Sequence, residues 1–241
     1  MFPRVWKLVS LRCKRLSDLG RDDRAIRVAE RLTRWRPHDP NSWVVLLAAH
    51  RRAETPPSEH EAFLREAVAA NPGSDELAYY LSRTLVDQER IDEATRVLTD
   101  LRTEDPGSPL SCLGLAFALV PDGDRDEQLR SATEAAARVG PGTRSLHLRD
   151  IAMFLLFVPE ERSRAVEFLR DAAKANDARA ELMLSVVLAG SDPAGAAAHH
   201  KRAIRRWSAP TSFDDEYEEF EAVWKKELER TGDAVGPDRS A

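Results

Sequence analysis

The histidines, carboxylates and cysteines of this 241-residue chain are where chemistry would begin, and their spacing withholds it. His60-Glu61 opens like a zinc-protease helix, in which two histidines four residues apart hold the metal, but the residue four on is Leu64, so one of the two ligands is missing. His199 and His200 are adjacent on a predicted helix and point about 100° apart, which prevents them from sharing an ion. Asp122, Asp124 and Asp126 imitate the start of a calcium loop. Arg125 stands among them, the sixth position lacks its glycine and the twelfth is Thr133 in place of glutamate, so a polar turn capping the next helix explains these carboxylates better. Cys13 and Cys112 form no CxxC pair, which argues against a disulfide framework and against a cysteine zinc site. The chain also lacks a GxxxxGK(S/T) phosphate loop, a GxGxxG turn and a GxSxG elbow. The expectation is a protein with no catalytic residues, no metal and no cofactor, and therefore not an enzyme.

Composition narrows the remaining classes. An apolar fraction of 42% is enough for a continuous core. A net charge of -5 and a pI near 5.8 do not make the basic surface that nucleic acid requires. The opening MFPRVWKLVSLRCKRL scatters Arg4, Lys7, Arg12, Lys14 and Arg15 among its apolar residues, unlike a secretory signal, and no stretch has the roughly 18 uncharged apolar residues of a membrane span. The expected location is the cytoplasm. The 30 arginines against 6 lysines suggest a GC-rich bacterial genome.

The elements that would organise such a chain emerge from its prolines. Pro37, Pro72, Pro106 and Pro141 lie 35, 34 and 35 residues apart, each behind a helix-like segment such as AIRVAERLTRW or IDEATRVLTDL. Proline cannot continue a helix and readily starts a turn, so this period punctuates hairpins of two helices. Between prolines two apolar segments at helical spacing flank a polar break, as in LAYYLSRTLV, DQER and IDEATRVLTDL. No alternating run predicts a strand. Ser108-Pro109 and Asp192-Pro193 each place a capping side chain before a proline at the first helical position.

With Ser82, Ala94, Leu101 and Pro106 in one unit, and Cys13, Ala25, Leu32 and Pro37 with Gly20 in another, the chain resembles the tetratricopeptide repeat family. That family's 34-residue unit needs small residues where helices cross and a closing proline. Phe117, Leu129 and His60 fall at places where the family has small residues, which implies local repacking or a shifted register. The fifth and sixth units keep Ala165, Ala172, Ala196 and Ala203 but carry Asp177 and Ser208 in place of the proline. The resemblance implies an all-α, right-handed superhelical solenoid of about six hairpins over residues 1–210, capped by an amphipathic helix at 211–230, with a disordered tail at 231–241. In the cap, Phe213, Tyr217, Phe220, Trp224 and Leu228 form one apolar stripe opposite an acidic face.

The resemblance further implies a concave groove lined by the first helices of the hairpins. Carried over by position, it would hold Lys14, Tyr79, Arg83, Ala118, Asp150 and Phe154, with Tyr79, Arg83 and Phe154 as leading contacts because aromatic and arginine side chains dominate interfaces. A one-residue error in register would instead turn Tyr79 and Phe154 into packing between helices. Lys14 and Arg83 alone do not make the family's clamp for a terminal carboxylate. The expected function is a scaffold or adaptor holding a partner's peptide or helix in that groove. Alternatives are a peptide-sensing regulatory module, and a helical-repeat nucleic-acid binder acting through the basic first unit. Residues 1–36 carry a net +7 and residues 211–241 a net -6, which adds self-association through unlike ends as a further partner reading. Nucleic acid and membrane are disfavoured.

Overall fold

The computed structural model describes residues 5–119, 124–140, 143–207 and 213–231. Pro141, Asp122, Ser208, residues 211 and 212 and the tail from 232 onward lie outside them. The described residues form thirteen α-helices and one 3-10 turn, with no strand among them. In chain order these are α1 (Val5–Asp18), α2 (Asp22–Trp35), α3 (Pro40–Arg52), α4 (Pro57–Ala70), α5 (Asp75–Val86), α6 (Ile91–Glu104), α7 (Pro109–Ala118), α8 (Arg125–Ala137), α9 (Ser145–Leu155), α10 (Arg162–Lys174), α11 (Ala178–Val187), α12 (Pro193–Arg206) and α13 (Phe213–Thr231). None of them is long and apolar enough to cross a membrane. The chain divides into two compact units, residues 1–131 and 132–241, and the division falls within α8.

In the first unit the helices pair in sequence, and α1 also packs on α3, α3 on α5 and α5 on α7, so the first helices of successive hairpins stand side by side. The first three hairpins turn in one way. Each turn holds a left-handed residue, Gly20 (φ 64), Glu54 (φ 52) and Glu89 (φ 61). The next N–H then reaches back five residues, from Arg21 to the Leu16 carbonyl (2.9 Å), from Thr55 to His50 (3.2 Å) and from Arg90 to Leu85 (2.9 Å). Glycine adopts this conformation freely, while glutamate holds it at a cost of about 1 kcal/mol. Of the three, only Gly20 therefore advertised a left-handed backbone.

Polar bonds one repeat long tie the hairpins together. The Asn71 side-chain amide donates to the Pro37 carbonyl at 2.8 Å, across 34 residues, and to the Ala67 carbonyl at 2.9 Å. The Trp43 indole N–H donates to the same Pro37 carbonyl at 2.7 Å. Ser108 caps α7 by accepting from the Leu110 N–H (3.1 Å) while its hydroxyl donates to Asp75 at the start of α5 (2.8 Å). Asp192 caps α12 by accepting from the Gly195 N–H at 2.9 Å.

Between the helices the core mixes alanines with leucines. Ala25, Ala94, Ser82 and Cys13 are buried where α1, α2, α5 and α6 meet their neighbours. The Cys13 thiol donates to the Ala25 carbonyl at 3.4 Å, and burial pushes its pKa up, which makes it a packing group rather than a nucleophile. Leu64, Leu77, Leu85, Leu98 and Leu113 are fully buried, each stabilising by about 2 kcal/mol on the usual transfer scale. A methyl group at Gly114 would overlap the Leu98 side chain, so α7 approaches α6 through the absence of a side chain.

In the second unit α9 packs on α10, α10 on α11, and α11 on both α12 and α13. Asp177, which stands where earlier units have proline, caps α11 by accepting from the Ala180 N–H at 3.0 Å. Ala165, Ala172, Ala196 and Ala203 are all buried. Helix α13 buries Tyr217 and Trp224 and exposes Asp214, Asp215, Glu218 and Glu219. The Phe213 ring meets His200, Trp207 and Tyr217 with centroids 5.2, 5.2 and 6.0 Å away.

Gly114→Ala is expected to lower stability to urea by about 1 kcal/mol, because overpacking costs about 1–3 kcal/mol and the gain in helix propensity returns only about 1 kcal/mol. In a Leu98→Ala background, which removes the clashing atoms, the same substitution is expected to be neutral or stabilising.

Candidate functional site

The adjacency of α5 and α7 builds the most distinctive polar feature of the first unit. Arg83 leaves α5 half-buried and its guanidinium carbon lies 3.5 Å from the centroid of the Phe117 ring on α7, a close cation–π stack. One terminal nitrogen donates to the Tyr79 hydroxyl at 3.3 Å, while the buried Nε has no hydrogen-bond partner. A guanidinium carries five N–H donors, and Arg83 is thus held flat on an aromatic base with donors in reserve. A guanidinium held in this way can donate to a carbonyl or carboxylate oxygen. Phe117 follows Arg83 by 34 residues, one repeat. That separation was the available signal, although on its own helix Phe117 reads only as a bulky residue at a small-residue place.

The other groove residues are placed differently from one another. Lys14 is exposed on α1. Tyr79 is 2% exposed and Ala118 1% exposed, both within the packing of α5 and α7, so Tyr79 contributes its hydroxyl to Arg83 rather than an open ring face. Asp150 and Phe154 belong to α9 of the second unit. Phe154 is buried. Asp150 is engaged by Arg149 at 2.6 and 3.0 Å, and Arg149 also donates to Asp177 at 3.0 Å. Burial works against the Arg149 charge, but the two carboxylates outweigh it and hold its pKa above the ordinary value.

Second helices carry ion pairs of their own. Across α4 and α6, Glu61 and Glu93 each bind both Arg65 and Arg90 at 2.6–3.0 Å. The Arg65 hydrogen bond is the main reason that the Glu61 carboxyl sits below its usual pKa. In the second unit Glu181, 2% exposed on α11, accepts from Arg202 (3.0 Å), Arg206 (2.5 Å) and His199 (2.5 Å), all on α12. His200, the neighbour of His199, instead packs against Phe213 and Tyr217. Adjacent histidines therefore serve different helices.

Three of the remaining histidines, His50, His60 and His147, are buried. His50 and His60 both bond to the Thr55 hydroxyl at 3.0 Å, knitting α3 to α4. Burial lowers both pKa values, aided for His60 by the Arg51 charge. His147 on α9 is lowered to about 3, by burial first and then by the charges of Arg144 and Arg149. The Asp124 carboxylate caps α8 by accepting from the Glu127 N–H at 3.0 Å. Among the described residues no three His, Cys, Asp or Glu side chains converge as metal ligands would.

Comparison with known proteins agrees with this architecture. Residues 46–111, which span α3 to α7, match the tetratricopeptide repeat family. A thermophilic tetratricopeptide protein of Thermus thermophilus superposes with a TM-score of 0.50 at 17% identity, covering 83% of this chain and 99% of its own. The APC/C hetero-tetramer Cut9–Hcn1 superposes with a TM-score of 0.56 at 12% identity, covering 91% of this chain and 46% of the other. No curated protein matches in sequence. The fold class is all-α helical repeat, of the solenoid type.

The buried histidines set a pH dependence. His147 binds a proton less readily folded than unfolded, so its contribution is complete above the unfolded pKa near 6.5 and is lost as pH falls from there to about 3. Stability should fall over that window by up to about 1.4 kcal/mol per pH unit for this one proton, and His147→Phe should flatten the slope in urea denaturation measured across the window.

Proposed function

On the footing that this chain carries tetratricopeptide repeats, we propose that it is a non-catalytic scaffold whose first helices hold a peptide or helix from a protein partner. Proteins of this fold bind protein or peptide partners, and the side-by-side first helices of the first unit offer a continuous surface of the kind an extended segment or a helix can follow. The observation that carries the reading is Arg83 stacked on Phe117 at 3.5 Å. A guanidinium pre-oriented by a ring loses little freedom on binding, and arginine beside an aromatic side chain is the composition of an interface hot spot. Lys14 would add a flexible positive charge along the same row of helices, whereas Asp150, paired with Arg149, and the buried Phe154 take no part in the proposed surface. The ion-paired second helices α4 and α6 offer fewer unsatisfied groups to a partner.

Affinity copurification from the source organism, with mass-spectrometric identification, tests this proposal when the wild type is compared with Arg83→Leu. Leucine keeps an apolar side chain over Phe117 and removes the donors. The expected outcome is loss of one specific partner, by at least about tenfold as for a typical hot-spot residue, with an unchanged circular-dichroism spectrum. Retention of every wild-type partner by the folded variant would refute the site.

A further inference from the structure

The second unit shows how this chain covers an exposed hairpin. Helix α13, an acidic amphipathic helix, lies on α11, and its Glu216 takes Arg179 fork to fork at 2.6 and 2.9 Å. Its buried Trp224 has the Arg162 guanidinium 5.2 Å from its ring. The cap thus combines an apolar stripe with carboxylates that meet arginines.

The first hairpin of the first unit presents the receiving half of the same chemistry with no cover among the described residues. Leu8 and Leu11 on α1 are 69% and 66% exposed, and Trp35 at the end of α2 is 65% exposed. Arg24, Arg27, Val28, Arg31 and Trp35 recur at helical spacing and so share one face of α2. Leu8 and Arg12 share a face of α1 in the same way. Between the two helices lie two shallow depressions, about 380 and 350 Å³, which adjoin at Arg12, Val28 and Arg31. Arg21, Arg24 and Arg27 complete the rim of the first, and Trp35 that of the second. None of these five arginines has a carboxylate at ion-pair distance among the described residues, whereas Arg65, Arg90, Arg149, Arg179, Arg202 and Arg206 all do.

We infer that this face of the first hairpin docks an acidic amphipathic helix of another protein. Its apolar stripe would cover Leu8, Val28 and Trp35, and its carboxylates would meet the arginines of α2. Two features select this occupant. Guanidinium forks match carboxylates in pairs, and the exposed leucines and tryptophan between them would stay wet under a phosphate backbone but are buried by a helix with an apolar side. The surface is separate from the Arg83–Phe117 site and does not depend on it.

The test is fluorescence anisotropy with the full chain and a labelled synthetic helix carrying leucines on one face and glutamates on the other. A scrambled peptide of the same composition, polyglutamate, single-stranded RNA and phosphatidylserine vesicles serve as competitors. The amphipathic peptide should bind at least about tenfold more tightly than the scrambled one, the margin a few hot-spot contacts supply. A triple Arg24→Glu, Arg27→Glu, Arg31→Glu variant and Trp35→Ser should each weaken it by about tenfold or more while circular dichroism stays unchanged, and Arg83→Leu should leave it untouched. Absence of binding, binding insensitive to both surface variants, or preference for RNA or vesicles would each overturn the proposal. Concentration-dependent self-association abolished by the arginine variant would also overturn it, assigning the face to a second copy of the chain.

Discussion

Two helices approach only as closely as the side chains between them permit, and the stacking of the first unit depends on small residues at those crossings. Gly114 lets α7 settle against Leu98 of α6 where even a methyl group would collide. Ala25 lets the Cys13 thiol reach its carbonyl. With that spacing, the first helices come side by side and Arg83 can lie flat on a ring 34 residues away. Alanines bury little area each, so stability in such a stack is spread over many repeated contacts rather than concentrated in one large core.

Polar groups complete what apolar packing begins. Asn71, buried at the turn between repeats, joins the Pro37 carbonyl to its own helix. A buried amide left unpaired would cost about 1–3 kcal/mol, so the turn geometry and the bond enforce each other. Glu181 does the same work in the second unit with three cationic or cationisable partners around one buried carboxylate. Against this background of satisfied charge, the uncovered arginines of the first hairpin stand out as chemistry directed elsewhere.

Much of the fold was legible because proline period, capping pairs and small residues all follow from local rules. Ser108 and Asp192 cap the helices they precede, and the alanines and serine singled out by position are buried. The polar break DQER marked the turn at Glu89, but nothing in a glutamate announces the left-handed backbone found there and at Glu54. The site was harder. A helix rotates each residue by about 100°, so position along the repeat could name Tyr79 and Arg83 but could not tell that one is interior and the other half-exposed. Phe117 looked like a misfit in its own repeat and became intelligible only beside Arg83 of the repeat before it.

Hydrogen–deuterium exchange of the chain with and without its purified partner tests most directly whether the first helices form the binding surface. Added protection concentrated in α3, α5 and α7, strongest around Arg83 and Phe117, is the predicted result. Protection confined to the second helices α4 and α6, with α5 and α7 unchanged, would contradict it.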